Sequence, residues 1–237
     1  MPNYDLAPVL RALEASADAA YRDFNQSLIP GRTIPALGVR VPVLRGIARD
    51  ILRGDWRGFL DATRDDPLHE LRMLHAIVLS GARCGIAEKI ALTDAFLPRV
   101  DNWAVCDALC AGYRAKPGEM DELFAFVCGC AESPSEFRRR FGLVMMMNRF
   151  RDPPYVDRVM AIYRGFRHEG YYARMGAAWG LATLFLARRE AVLDILRDGV
   201  LDGFTHDKTI QKLCESYRVS DADKQLVRAL RRGRSRT

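Results

Sequence analysis

Two groups in this chain combine charge and aromaticity at a spacing that could do chemistry. In Asp101-Asn102-Trp103-Ala104-Val105-Cys106-Asp107, Trp103 and Asp107 stand four apart, so on a helix they share one face a turn apart. A ring offers a cation its negative face and a carboxylate offers a full charge, so the pair suits a positively charged ligand. Either it does that, or Trp103 is a core residue beside a surface aspartate.

The second group is Ser135-Glu136-Phe137-Arg138-Arg139-Arg140-Phe141-Gly142-Leu143-Val144. Three consecutive arginines fan over most of a helix circumference and cannot all face one partner. Arg140, at the edge of an apolar run, is costly to bury without an anion, which is either an internal carboxylate or a phosphate. Two further segments carry lesser signals. Tyr171 to Gly180 contains Arg174 and Trp179 among small residues that permit close helix packing, and Lys208 and Lys212 are one turn apart in Thr205 to Arg218. Trp179 could equally be core, Arg174 is a further DNA-binding candidate, and the two lysines either grip phosphates or form a solvated face.

Other chemistries find no motif. There is no P-loop, Gly-rich dinucleotide turn, G-x-S-x-G or H-E-x-x-H, and the four histidines are scattered. His75 lies on an apolar helix and reads as a satisfied histidine. The six cysteines (84, 106, 110, 128, 130 and 214) fall inside apolar helical runs, which reads as reduced core thiols without a metal. No apolar run reaches the roughly 18 residues of a membrane span. The amphipathic N-terminus with early acidic residues does not read as a secretory signal, which points to the cytoplasm.

Charge is unevenly spread. The net charge is +6, yet residues 1–133 carry 15 basic against 18 acidic side chains and residues 134–237 carry 21 against 12. The basic half suits a polyanion, nucleic acid being the commonest, or is simply a solvated surface.

The elements that must position these groups are helices. Leu6, Val9, Leu10 and Leu13 form an apolar stripe, and the spacing predicts one helix running on to Phe24. Asn25 to Val41, with Pro30, Gly31, Pro35 and Gly38, reads as a loop. Pro42, Asp55, Asn102 or Asp101, Pro117, Pro153-Pro154 and Ser220 mark further helix starts, and Ser133 with Glu136 reads as a capping box before the arginine-bearing helix. About a dozen helices of 10–20 residues with short loops and almost no strand signal predict an all-α fold, a right-handed superhelix (solenoid) of HEAT-like antiparallel helix pairs. It is read as one repeat domain over residues 1–230, followed by a basic, disordered tail at 231–237.

Taken in order, these segments resemble the DNA alkylation repair family of HEAT-like repeat proteins, of the AlkD-like alkylpurine DNA glycosylase type, from about Gly38-Val39-Arg40-Val41-Pro42 to Arg218. The glycosylase type has a Trp-x-x-x-Asp pair, an arginine before a small/apolar run and a later tryptophan. Trp103, Asp107, Arg140 and Trp179 match these, with Arg139 the alternative to Arg140 by one residue of register. The resemblance implies hydrolysis of the N-glycosidic bond of cationic N3- or N7-alkylated purines in double-stranded DNA, by a monomer, without metal or nucleotide cofactor and without flipping the base. It implies that Asp107 stabilises charge on the sugar, that Trp103 and Trp179 cradle the lesion, and that Arg140 holds a phosphate. The glycosylase type also has a second N-terminal helix, in whose place Asn25 to Val41 reads as a loop. The residues leave open a non-catalytic relative that binds branched or distorted DNA, and a helical-repeat scaffold for protein interactions.

Overall fold

The structure is a computed structural model that describes residues 4–29 and 34–231. The expected turn at Pro30-Gly31 and the tail arginines Arg232, Arg234 and Arg236 lie outside the described residues. Among the described residues there are fourteen α-helices and no strand. The chain divides into two compact units, Met1–Leu123 and Phe124–Thr237.

The first unit holds α1 (Ala7–Glu14), α2 (Ala19–Ser27), α3 (Val41–Ile51), α4 (Trp56–Ala62), α5 (His69–Gly81), α6 (Ile86–Phe96) and α7 (Trp103–Gly112). Helices α1, α3, α5 and α7 pack successively against one another, and α4 and α6 pack on α5. This is stacking of helix pairs, with alternate helices forming one layer. α5 is apolar nearly all round and buries ten residues, as a helix covered on several sides must. α3 is amphipathic and buries only Leu44, Ala48 and Ile51, leaving its opposite face to solvent.

α8 (Met120–Ala131) contains the boundary between the units, and the second unit continues with α9 (Glu136–Arg149), α10 (Val156–Arg164), α11 (Tyr171–Leu184), α12 (Arg189–Arg197), α13 (Gly203–Glu215) and α14 (Asp221–Ala229). The same alternation recurs, with α9 against α11, α11 against α13, and α12 and α14 on the other layer. α9 buries eight consecutive residues, Arg140 to Met147. Each large apolar side chain in that run contributes about 1.5–3 kcal/mol. The small residues of α11 do permit close packing. A Cβ on Gly180 would come within 1.9 Å of the Tyr163 hydroxyl, which donates to the Leu143 carbonyl at 2.7 Å. The fold is therefore an all-α helical repeat, as the sequence predicts.

Most expected helix starts are met. The carboxylate of Asp55 accepts from the Gly58 amide, the side chain of Asn102 from Val105, and the hydroxyl of Ser220 from Asp223. The N-terminal region differs. The single helix expected to reach Phe24 is broken after Glu14, because Asp18 caps a separate helix by accepting from the Tyr21 amide at 2.9 Å. A second N-terminal helix, α2, is thus present in this chain, and the expected loop begins only after Ser27. The Ser133–Glu136 capping box does not form either. Ser135 is the N-cap, and Glu136 accepts from the Tyr172 amide on α11 at 2.5 Å, so a contact between helices outcompetes the local one.

The segment joining α2 to α3 is anchored by a buried carboxylate. Glu70, at the start of α5, accepts from the amides of Leu37 (3.0 Å), Gly38 (2.8 Å) and Val39 (3.2 Å). Gly38 has φ +84°, and a Cβ there would lie 2.1 Å from the Asp18 carbonyl, so only glycine fits.

Candidate nucleic-acid interface

α7 presents its open face through Trp103, Ala104, Asp107, Ala108 and Ala111, while Val105, Cys106, Leu109 and Cys110 fill the core. Trp103 and Asp107 are both partly exposed. The tryptophan is therefore not a core residue, and the other residues of this α7 face are alanines. The start of α7 is fixed from below. Arg72 on α5 pairs with Asp101 at 2.5 Å with both side chains largely covered, and Asp101 accepts from the Asn102 amide group at 2.9 Å. Asn102, fully buried, caps the helix through Val105.

Trp103 makes a second connection that the sequence does not advertise. Its indole N–H donates to the carbonyl of Leu28, the C-cap residue of α2, at 3.1 Å. α2 buries none of its own residues, and Phe24 and Leu28 are 60% and 45% exposed. Two large apolar side chains thus stand in solvent on a helix whose end is tied to Trp103. Sequence reasoning misses both, because the spacing predicts one helix ending at Phe24 and a loop after it. The i, i+4 spacing of Phe24 and Leu28 is the signal the sequence offers.

In the second unit, Trp179 is also partly exposed, on an α11 stripe with Tyr171, Met175 and Thr183, and so is not core. Arg174 lies beside that stripe, 3.9 Å from the Asp202 carboxylate and with its guanidinium 4.5 Å from the centre of the Phe204 ring. Lys208 approaches the same ring at 5.9 Å and donates to Gln211, and Lys208 and Lys212 are both partly exposed on α13. The structure thus brings Arg174 and Lys208 together around Phe204.

The two candidate phosphate arginines of α9 are held differently. Arg140 is buried, its guanidinium donating to the Tyr172 carbonyl at 3.0 Å, and a Cβ on Gly176 would lie 3.3 Å from its Cγ. Arg139 donates to three carbonyls, those of Ser133 and Glu132 at 2.6 Å each and that of Arg167. It staples the segment before α9 to the one before α11, and burial lowers its pKa.

The histidine and cysteine readings can be placed as well. His75 is buried, 3.0 Å from the Thr63 hydroxyl and stacked on Phe96 at 4.1 Å. Burial, with the charges of Arg64 and Arg99, pushes its pKa down to about 3. Cys106, Cys110 and Cys130 are buried and Cys84, Cys128 and Cys214 partly exposed, none in a disulfide. Among the described residues no group of three or more metal-ligating side chains occurs, and no helix is long and apolar enough to cross a membrane.

No curated protein and no solved structure matches the chain. A family model described as DNA alkylation repair enzyme matches residues 9–197, a span running from α1 through α12 and including Trp103, Asp107, Arg140 and Trp179. By that match over most of its length, the chain belongs to the DNA alkylation repair enzyme family.

Proposed function

We propose that the protein is a DNA-binding repair protein that hydrolyses the N-glycosidic bond of cationic N3- or N7-alkylated purines in duplex DNA. The observation that carries this reading is the partly exposed face of α7, where Trp103 and Asp107 stand a turn apart beside Ala104, Ala108 and Ala111. Family membership supports a role in DNA repair, and the arrangement on α7 suits a positively charged centre.

An alkylated purine is already a good leaving group. As the bond between C1′ and the purine nitrogen breaks, the electron pair passes to the base and neutralises it, and positive charge develops on the deoxyribose. Asp107 stabilises that charge and orients the water that adds to C1′, whose proton passes to the carboxylate or to solvent. Trp103 lies against the lesion with the α2 C-cap residue Leu28 bonded to it, and Trp179 offers its ring to the DNA from the second unit. Arg140, Arg174, Lys208 and Lys212 serve the phosphate backbone, Arg140 by holding the start of α11 as well. Arg139, occupied by three carbonyls, acts on the fold.

The test is release of 7-methylguanine and 3-methyladenine from methylated duplex DNA by wild type and Asp107→Asn. The reading requires release by wild type and a loss of roughly 100-fold or more in the variant. Duplex binding without any release would instead assign a non-catalytic relative that recognises distorted DNA. No binding at low salt would remove both and leave a protein-interaction scaffold.

A further inference from the structure

The first unit, although net acidic in sequence, contains a cationic basin. A cavity of about 930 Å³ opens across α3, α5 and α7, at the C-terminal ends of the latter two. Arg45 and Arg49 project from α3 one turn apart, Arg83 follows α5, and Arg114 follows α7. Seven other arginines of this unit, at 22, 40, 53, 57, 64, 72 and 99, are paired with carboxylates. Arg45, Arg49, Arg83 and Arg114 have no carboxylate partner, and among the described residues only Arg11 shares that condition in this unit. Among the acidic side chains that set the unit's net charge, Asp18, Asp23, Asp50, Asp61, Asp65, Glu88 and Asp101 pair with those other arginines. The carboxylate that does line the basin, Glu119, faces Lys116 at 4.0 Å.

The floor is also prepared for an anion. Helix C-termini carry partial negative charge, which would repel one. Here the buried Lys89 puts its ammonium on the Ser80 and Arg114 carbonyls at 3.3 and 3.5 Å, offsetting those ends. Small residues, Ala48, Gly81, Ala108 and Ala111, line part of the wall, and Val41, Leu52 and Ile77 are its larger apolar side chains. Ala108 and Ala111 also continue the face of α7 that bears Asp107, and Asp107 to Ala111 is about 6 Å along the helix.

The geometry points to a phosphate-binding basin in which Arg45, Arg49, Arg83 and Arg114 hold consecutive backbone phosphates of the DNA strand that passes Asp107. This assignment rests on the DNA-binding reading above. At about 3.4 Å of rise per nucleotide, the basin receives the phosphates starting one to two nucleotides from the base at Asp107. It is a fixed contact on one side of the lesion, so it positions the strand along α7 as well as adding affinity.

The experiment measures duplex DNA affinity against salt for the full chain, its Arg45→Gln/Arg49→Gln variant, and an Arg53→Gln/Arg64→Gln control whose arginines are ion-paired outside the basin. Both arginine pairs are exposed, and circular dichroism verifies folding. The basin variant is expected to lose one to two units of the log–log salt slope, at about 0.9 per phosphate, and the control none. Cys84, in the basin wall, supplies a reading on the unaltered protein. Bound duplex should slow its alkylation by a maleimide several-fold, seen by peptide mapping. If wild type binds DNA but the slope is the same in both double variants, the basin assignment is overturned while DNA binding stands. If inorganic tripolyphosphate binds wild type and not the basin variant, with DNA affinity unchanged, the basin takes a free anion and the assignment is likewise overturned. If wild type binds no duplex, the DNA reading falls and the basin assignment with it.

Discussion

The indole N–H of Trp103 holds the carbonyl of Leu28 at 3.1 Å, so one side chain both lines the open face of α7 and terminates α2. A tryptophan in this place has two separable duties, a ring for the ligand and a hydrogen bond for the neighbouring helix.

Trp103→Phe keeps a ring and deletes the donor. A single exposed hydrogen bond contributes about 0.5–1.5 kcal/mol, so amides of α2 should exchange with solvent deuterium roughly 2- to 10-fold faster, with the rest of the unit unchanged. Trp103→Ala should show the same exchange and a larger loss of base release. Equal exchange in Trp103→Phe and wild type would show that the bond does not hold α2.

Glu70→Ala leaves three backbone amides without their acceptor and should cost about 3 kcal/mol or more, lowering Tm by roughly 6–12 °C. Gly38→Ala should be similarly destabilising, since the added methyl meets the Asp18 carbonyl at a positive φ. Gly129→Ala, with open space on α8, should instead raise stability by about 0.5–1 kcal/mol. Thermal melts of the three variants decide the matter, and a harmless Gly38→Ala would contradict the described path of this segment.

Acid should destabilise the first unit through His75. Its pKa in the fold is about 3 against an ordinary 6.5, so between those values the unfolded chain binds a proton that the folded chain does not. Stability is complete above about pH 6.5 and declines as pH falls, by roughly 3 kcal/mol at pH 4. His69, whose pKa is also lowered by burial, acts in the same direction. Urea titrations of wild type and His75→Gln over this range should give a shallower pH dependence in the variant, and parallel curves would sink the argument.

Arg139 and Lys208/Lys212 separate fold from ligand. Arg139→Ala removes donors from three carbonyls and should lower Tm by several degrees without changing the salt slope of DNA binding. Lys208→Gln/Lys212→Gln should do the reverse, reducing the slope by up to about 2 with Tm nearly constant. A salt slope that falls in Arg139→Ala would return that residue to the phosphate contacts.

The all-helical repeat was legible because apolar spacing of three and four recurs along the chain and Asp55, Asn102 and Ser220 act as local caps. Trp103 and Asp107 were legible for the same reason, since their shared face follows from helix geometry alone. What escaped is one local cap that cuts across the apolar stripe, and contacts between residues far apart in sequence. Asp18 divides the N-terminal helix where the apolar stripe gives no break, and Glu136 leaves its own helix start for the Tyr172 amide. The basin escaped because Arg45, Arg49, Arg83 and Arg114 are spread over 70 residues and embedded in an acidic segment. Net charge could not reveal that seven of the unit's carboxylates are engaged with other arginines.

The shallow seating of α2 has a consequence for how such a protein can change. None of its nine residues is buried, and it is held by Asp18 bonded to Arg40, by the Glu70 anchor on the following segment, and by Trp103. Side chains on its outer surface can therefore be exchanged almost without thermodynamic penalty, as on an antibody loop. Recognition of different lesions can diversify there while the stacked helices beneath stay constant.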